Sequence, residues 1–171
     1  MRPNLAPSEP GADAPKTRGA DATPMYDMIE LFYFAYRDFV GDADRLLEAY
    51  GFGRAHHRVL HFVFRHPGLT IAELLDILAI TKQSLNRVLR ELVAQDFIET
   101  RAGAQDRRQR RLKATAKGAD LALDLARAQT RRFDAAMQAL GPDAKPAASA
   151  FLQQMIDADA RPRVAALIGG G

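Results

Sequence analysis

Apolar residues recur at helical spacing along most of this chain and at strand spacing in one short stretch. From Met25 to Tyr50, Ile29, Phe32, Tyr33, Tyr36, Phe39 and Val40 share a helix face, which Leu46, Leu47 and Tyr50 continue past Gly41. Gly51-Phe52-Gly53 breaks the pattern. A second helix follows from Arg54 to Arg65, with Val59, Leu60, Phe62 and Val63 inward. His66-Pro67-Gly68-Leu69 reads as a turn. Thr70 and Glu73 then make a capping box, which opens a short helix that carries Leu74, Leu75, Ile77 and Leu78 and ends near Ala79. Thr81 is a good N-cap for the next helix, where Leu85, Val88, Leu89 and Leu92 form one buried stripe. Phe97–Arg101 and Arg110–Ala114 have strand character and bracket a polar loop containing Gly103, which suits a hairpin. Thr115 can cap a long helix running to about Leu140, striped by Leu121, Leu125, Ala128, Phe133, Ala136, Met137 and Leu140. Gly141-Pro142 stops it. A last helical region places Phe151, Leu152, Met155 and Ile156 in register, breaks or kinks at Pro162, and resumes with Val164, Leu167 and Ile168.

Two helices joined by a few residues and followed by a hairpin predict a winged helix-turn-helix. The expected fold is mainly α with a small β-hairpin wing, flanked by N- and C-terminal dimerisation helices. The expected organisation is a disordered tail over 1–24 and a single domain over 25–168. Within that domain, 25–50 is a dimerisation helix, 54–115 the winged module and 116–168 the C-terminal dimerisation helices. The tail expectation rests on five prolines before residue 25, with too little apolar surface to offset the entropy of ordering. Long helices that are apolar on one side imply association of two chains, although periodicity alone leaves an intramolecular cap open.

The polar face of the helix after Thr81 gives the module its candidate chemistry. Opposite the apolar stripe stand Gln83, Asn86, Arg87 and Arg90. Amide and guanidinium groups form bidentate bonds with adenine and guanine edges in the major groove. Thr81, Lys82 and Ser84, with the first backbone amides of the helix, are better placed for phosphates, and Arg58 and Thr70 could add contacts from neighbouring helices. From Lys82 to Lys113 nine basic residues face four acidic ones, a surplus of five, whereas the whole chain carries only +3. Positive charge is thus concentrated on one module, as a phosphate-binding surface requires. Met25–Tyr50, with six acids against two arginines, is the acidic counterpart.

The stretch from Gly51 to Gly118 resembles the core of the MarR family of bacterial transcription regulators. The likeness rests on the helix before the capping box, the Thr81–Gln95 pattern, and the sequence Asp106-Arg107-Arg108 followed by Leu112 and Thr115. It is close over about residues 50–118 and looser in the flanking helices. The lack of a membrane-span-length apolar run or signal-peptide core makes a cytoplasmic location the expectation, and the resemblance implies a homodimeric, double-stranded-DNA-binding regulator. It further implies repression from a pseudo-palindromic site and release by a small effector. It places Arg107 and Arg108 where family wings insert an arginine into a minor groove; a narrow A·T tract attracts such a side chain. Asp106 would brace a neighbouring arginine, and alternation lets only one of Arg110 and Arg111 face the duplex, Arg110 being the candidate. An effector cavity is expected between the first helix and the histidine-rich one, at Tyr33, Tyr36, Arg37, His57 and His61.

All four histidines fall between His56 and His66, and His57 and His61 sit at i, i+4, a spacing able to chelate a transition metal. A third ligand, such as Asp38 or Glu30, is not placed by the sequence, and packed or surface imidazoles explain the cluster more simply. No metal or cofactor is expected. The chain has no cysteine, which excludes disulfides and thiolate chemistry, and it offers no nucleophile elbow, phosphate-cradling glycine loop or HExxH helix. No enzyme activity is expected. No apolar run approaches a membrane span of about 20 residues, nor does the N-terminus carry a signal-peptide core. The competing reading is a winged helix that docks protein rather than DNA; against it stand Arg107, Arg108, Arg110 and Arg111, since such modules usually lose a basic wing.

Overall fold

Threonine side-chain caps set where three helices of this computed structural model begin. The structure describes residues 23–103 and 109–170. The Thr70 backbone N–H donates to Glu73 Oε2 at 2.8 Å and the Glu73 N–H donates to Thr70 Oγ1 at 3.2 Å, closing the expected capping box. Thr81 Oγ1 accepts from the Ser84 N–H at 3.2 Å, and Thr115 Oγ1 accepts from the Gly118 N–H at 3.0 Å. Each bond satisfies a donor that the helix itself leaves open.

The elements in order are α1 (Tyr26–Glu48), α2 (Arg54–Arg65), α3 (Ile71–Leu78), α4 (Lys82–Ala94), β1 (Ile98–Ala102), β2 (Arg110–Ala114), α5 (Ala116–Leu140), α6 (Ala144–Met155) and α7 (Arg161–Gly169). β1 and β2 are antiparallel, with Thr100 opposite Leu112 and Ala102 opposite Arg110. The fold is mainly α with a small hairpin, a winged helix-turn-helix carrying long helices at both ends. Leu60 and Val63 of α2, Leu74 of α3, Leu85 and Leu92 of α4, Phe97 and Leu112 meet in one buried cluster. Truncating any of these leucines to alanine should cost ~2–5 kcal/mol. Between α3 and α4 the chain turns at Ala79, left-handed at φ 50°.

Several boundaries differ from the sequence pattern. Phe97 does not belong to β1. It is fully buried beneath Tyr50 and Phe52, with its N–H bonded to the Leu92 carbonyl, so tertiary packing claims it before the ladder starts. Pro162 does not kink a helix but stands in the first turn of α7, where its missing N–H costs nothing; the break lies before it, over residues 156–160. The segment read as a simple turn also pairs with the wing. The Gly68 N–H donates to the Leu112 carbonyl and the Leu112 N–H to the Leu69 carbonyl, both at 2.8 Å, and Thr70 bridges Arg111. β2 is therefore hydrogen-bonded on both edges.

The apolar stripes of the terminal helices are only partly covered within the single chain. α1 buries only Val40, Ala43 and Leu47, and α5 only residues between Gly118 and Ala128. The N-terminal half of α1 and the distal half of α5 are exposed in the single chain, with Ile29 60 % and Leu140 78 % accessible. α7 leans on α3, where Arg163 Nη2 meets Asp76 Oδ2 at 2.6 Å. No helix among the described residues is long and apolar enough to cross a membrane.

Candidate nucleic-acid interface

α4 presents the expected face. Leu85, Val88, Leu89 and Leu92 are buried, while Lys82, Gln83, Ser84, Arg87 and Arg90 are exposed and Asn86 is half-buried. Beside this face runs an open groove of about 880 Å³ between α4 and the hairpin, lined by Lys82, Gln83, Asn86, Arg90, Thr100 and Arg110 over an apolar floor of Leu89 and Leu112. The structure thus brings together four candidates from the recognition helix and one from the wing. Arg90 Nε donates to the Asn86 carbonyl at 3.3 Å. Arg87 does not line this groove; its Nε lies 3.9 Å from Glu91 Oε1.

At the N-terminus of α4 the roles divide. Thr81 Oγ1 accepts from the Ser84 N–H and donates its own proton to Ser84 Oγ at 3.0 Å. Its hydroxyl is committed to the cap. Lys82, Ser84 and the open backbone N–H groups of the first turn are left to meet an anion. Arg58 is exposed on α2, and Thr70 is held in its capping box.

The two strand arginines part as alternation demands. Arg110 opens onto the groove, whereas Arg111 Nη1 donates to the Gly68 carbonyl at 3.1 Å. Asp106, Arg107 and Arg108, expected at the tip of the wing, lie outside the described residues.

The expected effector residues are only partly gathered. Arg54, held by Asp44 at 2.9 Å, feels Tyr33 and Tyr36 electrostatically, and Asp44 likewise acts on His57. These groups therefore share the α1–α2 side. Arg37 is turned to Asp38 at 2.8 Å and lies over Phe34, with its guanidinium 4.9 Å from the ring centroid. His57 and His61 stand with centroids 6.5 Å apart and planes nearly perpendicular. Burial pushes both imidazoles below their ordinary pKa, with His61 adding to the effect on His57, and Arg65 and His66 to that on His61. Asp44 Oδ1 is buried without a hydrogen-bond partner among the described residues. No group of three or more His, Asp or Glu among them is arranged to hold a metal ion.

Two residues outside the expected set join the interface. Glu91 lies beside Arg87, and His56, the one buried polar residue among those described, reaches Glu91 across the helices at 2.7 Å. The Arg87/Glu91 spacing of i, i+4 is legible in the sequence. The contact with His56 joins residues 35 positions apart, and no local signal carries it.

A capped α3–turn–α4 pair, an exposed amide-and-guanidinium face and a hairpin that adds an arginine to the same groove define a winged helix-turn-helix protein of the DNA-binding kind. A model of the MarR family matches residues 50–109. Over 129 residues, 75 % of this chain and 78 % of the relative, the sequence is 48 % identical to the HTH-type transcriptional regulator PetP of Rhodobacter capsulatus. Among solved structures, a MarR transcriptional regulator from Methanosarcina mazei superposes with a TM-score of 0.64 at 19 % identity, covering 79 % of this chain and 90 % of that one. A mutant MepR from a multidrug-resistant S. aureus clinical isolate gives 0.65 at 21 % identity, over 80 % and 96 %. These structural likenesses carry the fold; the relative from R. capsulatus carries the family. The chain belongs to the MarR family of helix-turn-helix transcription regulators.

Proposed function

We propose that this chain is a homodimeric, sequence-specific DNA-binding regulator that represses from a pseudo-palindromic operator and is released by a small effector. The observation that carries the DNA reading is the groove in which Lys82, Gln83, Asn86 and Arg90 of α4 meet Arg110 of β2. Gln83, Asn86, Arg87 and Arg90 read base edges in the major groove; Lys82, Ser84 and the first amides of α4 hold phosphates; Arg110 extends the contact from the wing, where Arg107 and Arg108 add charge. Two copies are supported by the uncovered apolar halves of α1 and α5, whose exposure in a lone chain is unfavourable. Dimerisation would set two α4 helices at half-sites one helical turn apart.

The effector reading rests on the α1–α2 junction. There Asp44 Oδ1 has no hydrogen-bond partner among the described residues, and Asp44 acts electrostatically on His57, on the side that Tyr33 and Tyr36 share with Arg54. A ligand bound here would bias the angle between the long helices and the winged module, and so the fit of the half-sites.

Fluorescence anisotropy tests the reading, using labelled DNA from upstream of the protein's own gene and a scrambled duplex over a salt series. Specific regulation predicts preference over scrambled DNA by ~10³-fold or more with a steep salt slope. Equal, weak binding to both would favour a protein-docking winged helix.

A further inference from the structure

Glu91 is an acid on the module that meets DNA, where its charge opposes binding unless it is taken up. Its two oxygens face different partners, one in a hydrogen bond and one in a long ion pair. Oε2 contacts His56 Nε2 at 2.7 Å, and Oε1 lies 3.9 Å from Arg87 Nε. His56 is fixed in turn. Its Nδ1 accepts from the Gly53 N–H at 3.1 Å, and its ring stacks on Phe52 with centroids 4.6 Å apart and planes 13° from parallel. An Nδ1 that accepts carries no proton, so the neutral imidazole has its proton on Nε2 and donates it to Glu91. A line of contacts therefore runs from the start of α2, through a buried ring and a carboxylate, to a guanidinium at the edge of the recognition face.

We propose that His56 and Glu91 are positioning residues for base reading: they hold Arg87 in one orientation before DNA arrives and so set preference at the base pair Arg87 meets. This rests on Arg87 being a base-reading residue, as inferred above. The physical ground is pre-organisation. A free arginine must lose rotamer freedom on binding and can reach several acceptors, whereas one steered by a fixed carboxylate presents its donors to fewer. Glu91 can do this because it is itself anchored: without His56, a half-exposed glutamate is as mobile as the arginine it faces.

The test selects a preferred site with the wild-type protein from a random-sequence duplex library, then titrates every single-base-pair variant of that site. The proteins compared are wild type, Arg87→Ala, Glu91→Gln, His56→Asn, His56→Gln and the double variant Arg87→Ala/Glu91→Gln. Glu91→Gln keeps an oxygen for His56 but removes the charge beside Arg87. His56→Asn keeps an acceptor for Gly53 but cannot reach Glu91, whereas His56→Gln keeps a donor for Glu91. Arg87→Ala is expected to flatten preference at one base pair. Glu91→Gln and His56→Asn should reduce discrimination there by about fivefold, with less than about twofold change on scrambled DNA. His56→Gln should recover most of that loss, and Glu91→Gln should add nothing to Arg87→Ala.

Additive losses in the double variant, or loss of discrimination at other base pairs, would overturn the proposal and leave Glu91 a packing residue. If Arg87→Ala alters no preference, or no preferred site emerges, the base-reading assignment itself fails and the proposal falls with it. Should His56→Asn fold poorly in a thermal melt, Glu91→Gln, a change at a half-exposed site, decides the matter alone.

Discussion

Arg111 Nη1 donates to the Gly68 carbonyl at 3.1 Å, while the adjacent Arg110 opens onto the groove beside α4. Two neighbouring arginines thus take different places, Arg111 bonded to the backbone and Arg110 open to the groove. Arg110→Ala should weaken binding to all duplexes and lower the salt slope by about one. Arg111→Ala should leave that slope nearly unchanged and cost about 1 kcal/mol or less of folding stability. Anisotropy over a salt series, with urea unfolding beside it, checks both; equal slope losses would reverse the assignment.

Gly118 packs against the backbone of Phe97. A Cβ there would stand 1.9 Å from the Phe97 carbonyl oxygen, which itself accepts from the Thr115 N–H at 3.1 Å. Neither atom can yield without disturbing the start of α5. Gly118→Ala is expected to destabilise by ~1–3 kcal/mol. Gly169→Ala, where an added Cβ meets nothing within 4 Å, should be neutral or slightly stabilising. Denaturant midpoints for the two variants give the comparison.

Acid should loosen the α1–α2 side. His57 and His61 are held below their ordinary pKa of 6.5, chiefly by burial; Asp44 partly opposes this at His57, and Arg65 and His66 reinforce it at His61. The unfolded chain then binds protons at a higher pH than the folded one. Their contribution to stability is therefore complete above 6.5 and is lost as the pH falls from there toward the folded values. Replacing both residues with glutamine should flatten this part of the stability–pH curve. A double variant whose curve runs parallel to wild type would refute the assignment.

The exposed halves of α1 and α5 give a separate expectation about assembly. Ile29→Glu combined with Leu140→Glu should shift the protein to monomer in sedimentation velocity, because both side chains stand on uncovered apolar faces. Helical circular dichroism should persist, since neither belongs to the buried cluster of the single chain. Unchanged sedimentation would argue against these faces as the interface between copies.

The local rules were sufficient wherever a side chain bonds within one turn of itself. Thr70 with Glu73, Thr81 with Ser84 and Thr115 with Gly118 mark helix starts that can be read from residue type and spacing alone, and the stripe of Leu85, Val88, Leu89 and Leu92 fixes which face of α4 turns outward. Those features determined the winged architecture and the candidate face. Contacts between residues distant in sequence were not legible. Nothing near Arg111 announces that Gly68 will take its guanidinium, and nothing near His56 points to Glu91. Periodicity also marks a stripe as apolar without saying what covers it, so the pattern left pairing of two chains and an intramolecular cap both open for α1 and α5, and the fold shows that the single chain leaves half of each bare. Sequence settled the elements, because helix caps and apolar periods are local. Tertiary structure alone decided what takes up the Arg111 guanidinium and which polar groups brace the recognition helix, because those choices depend on partners that only folding brings within reach.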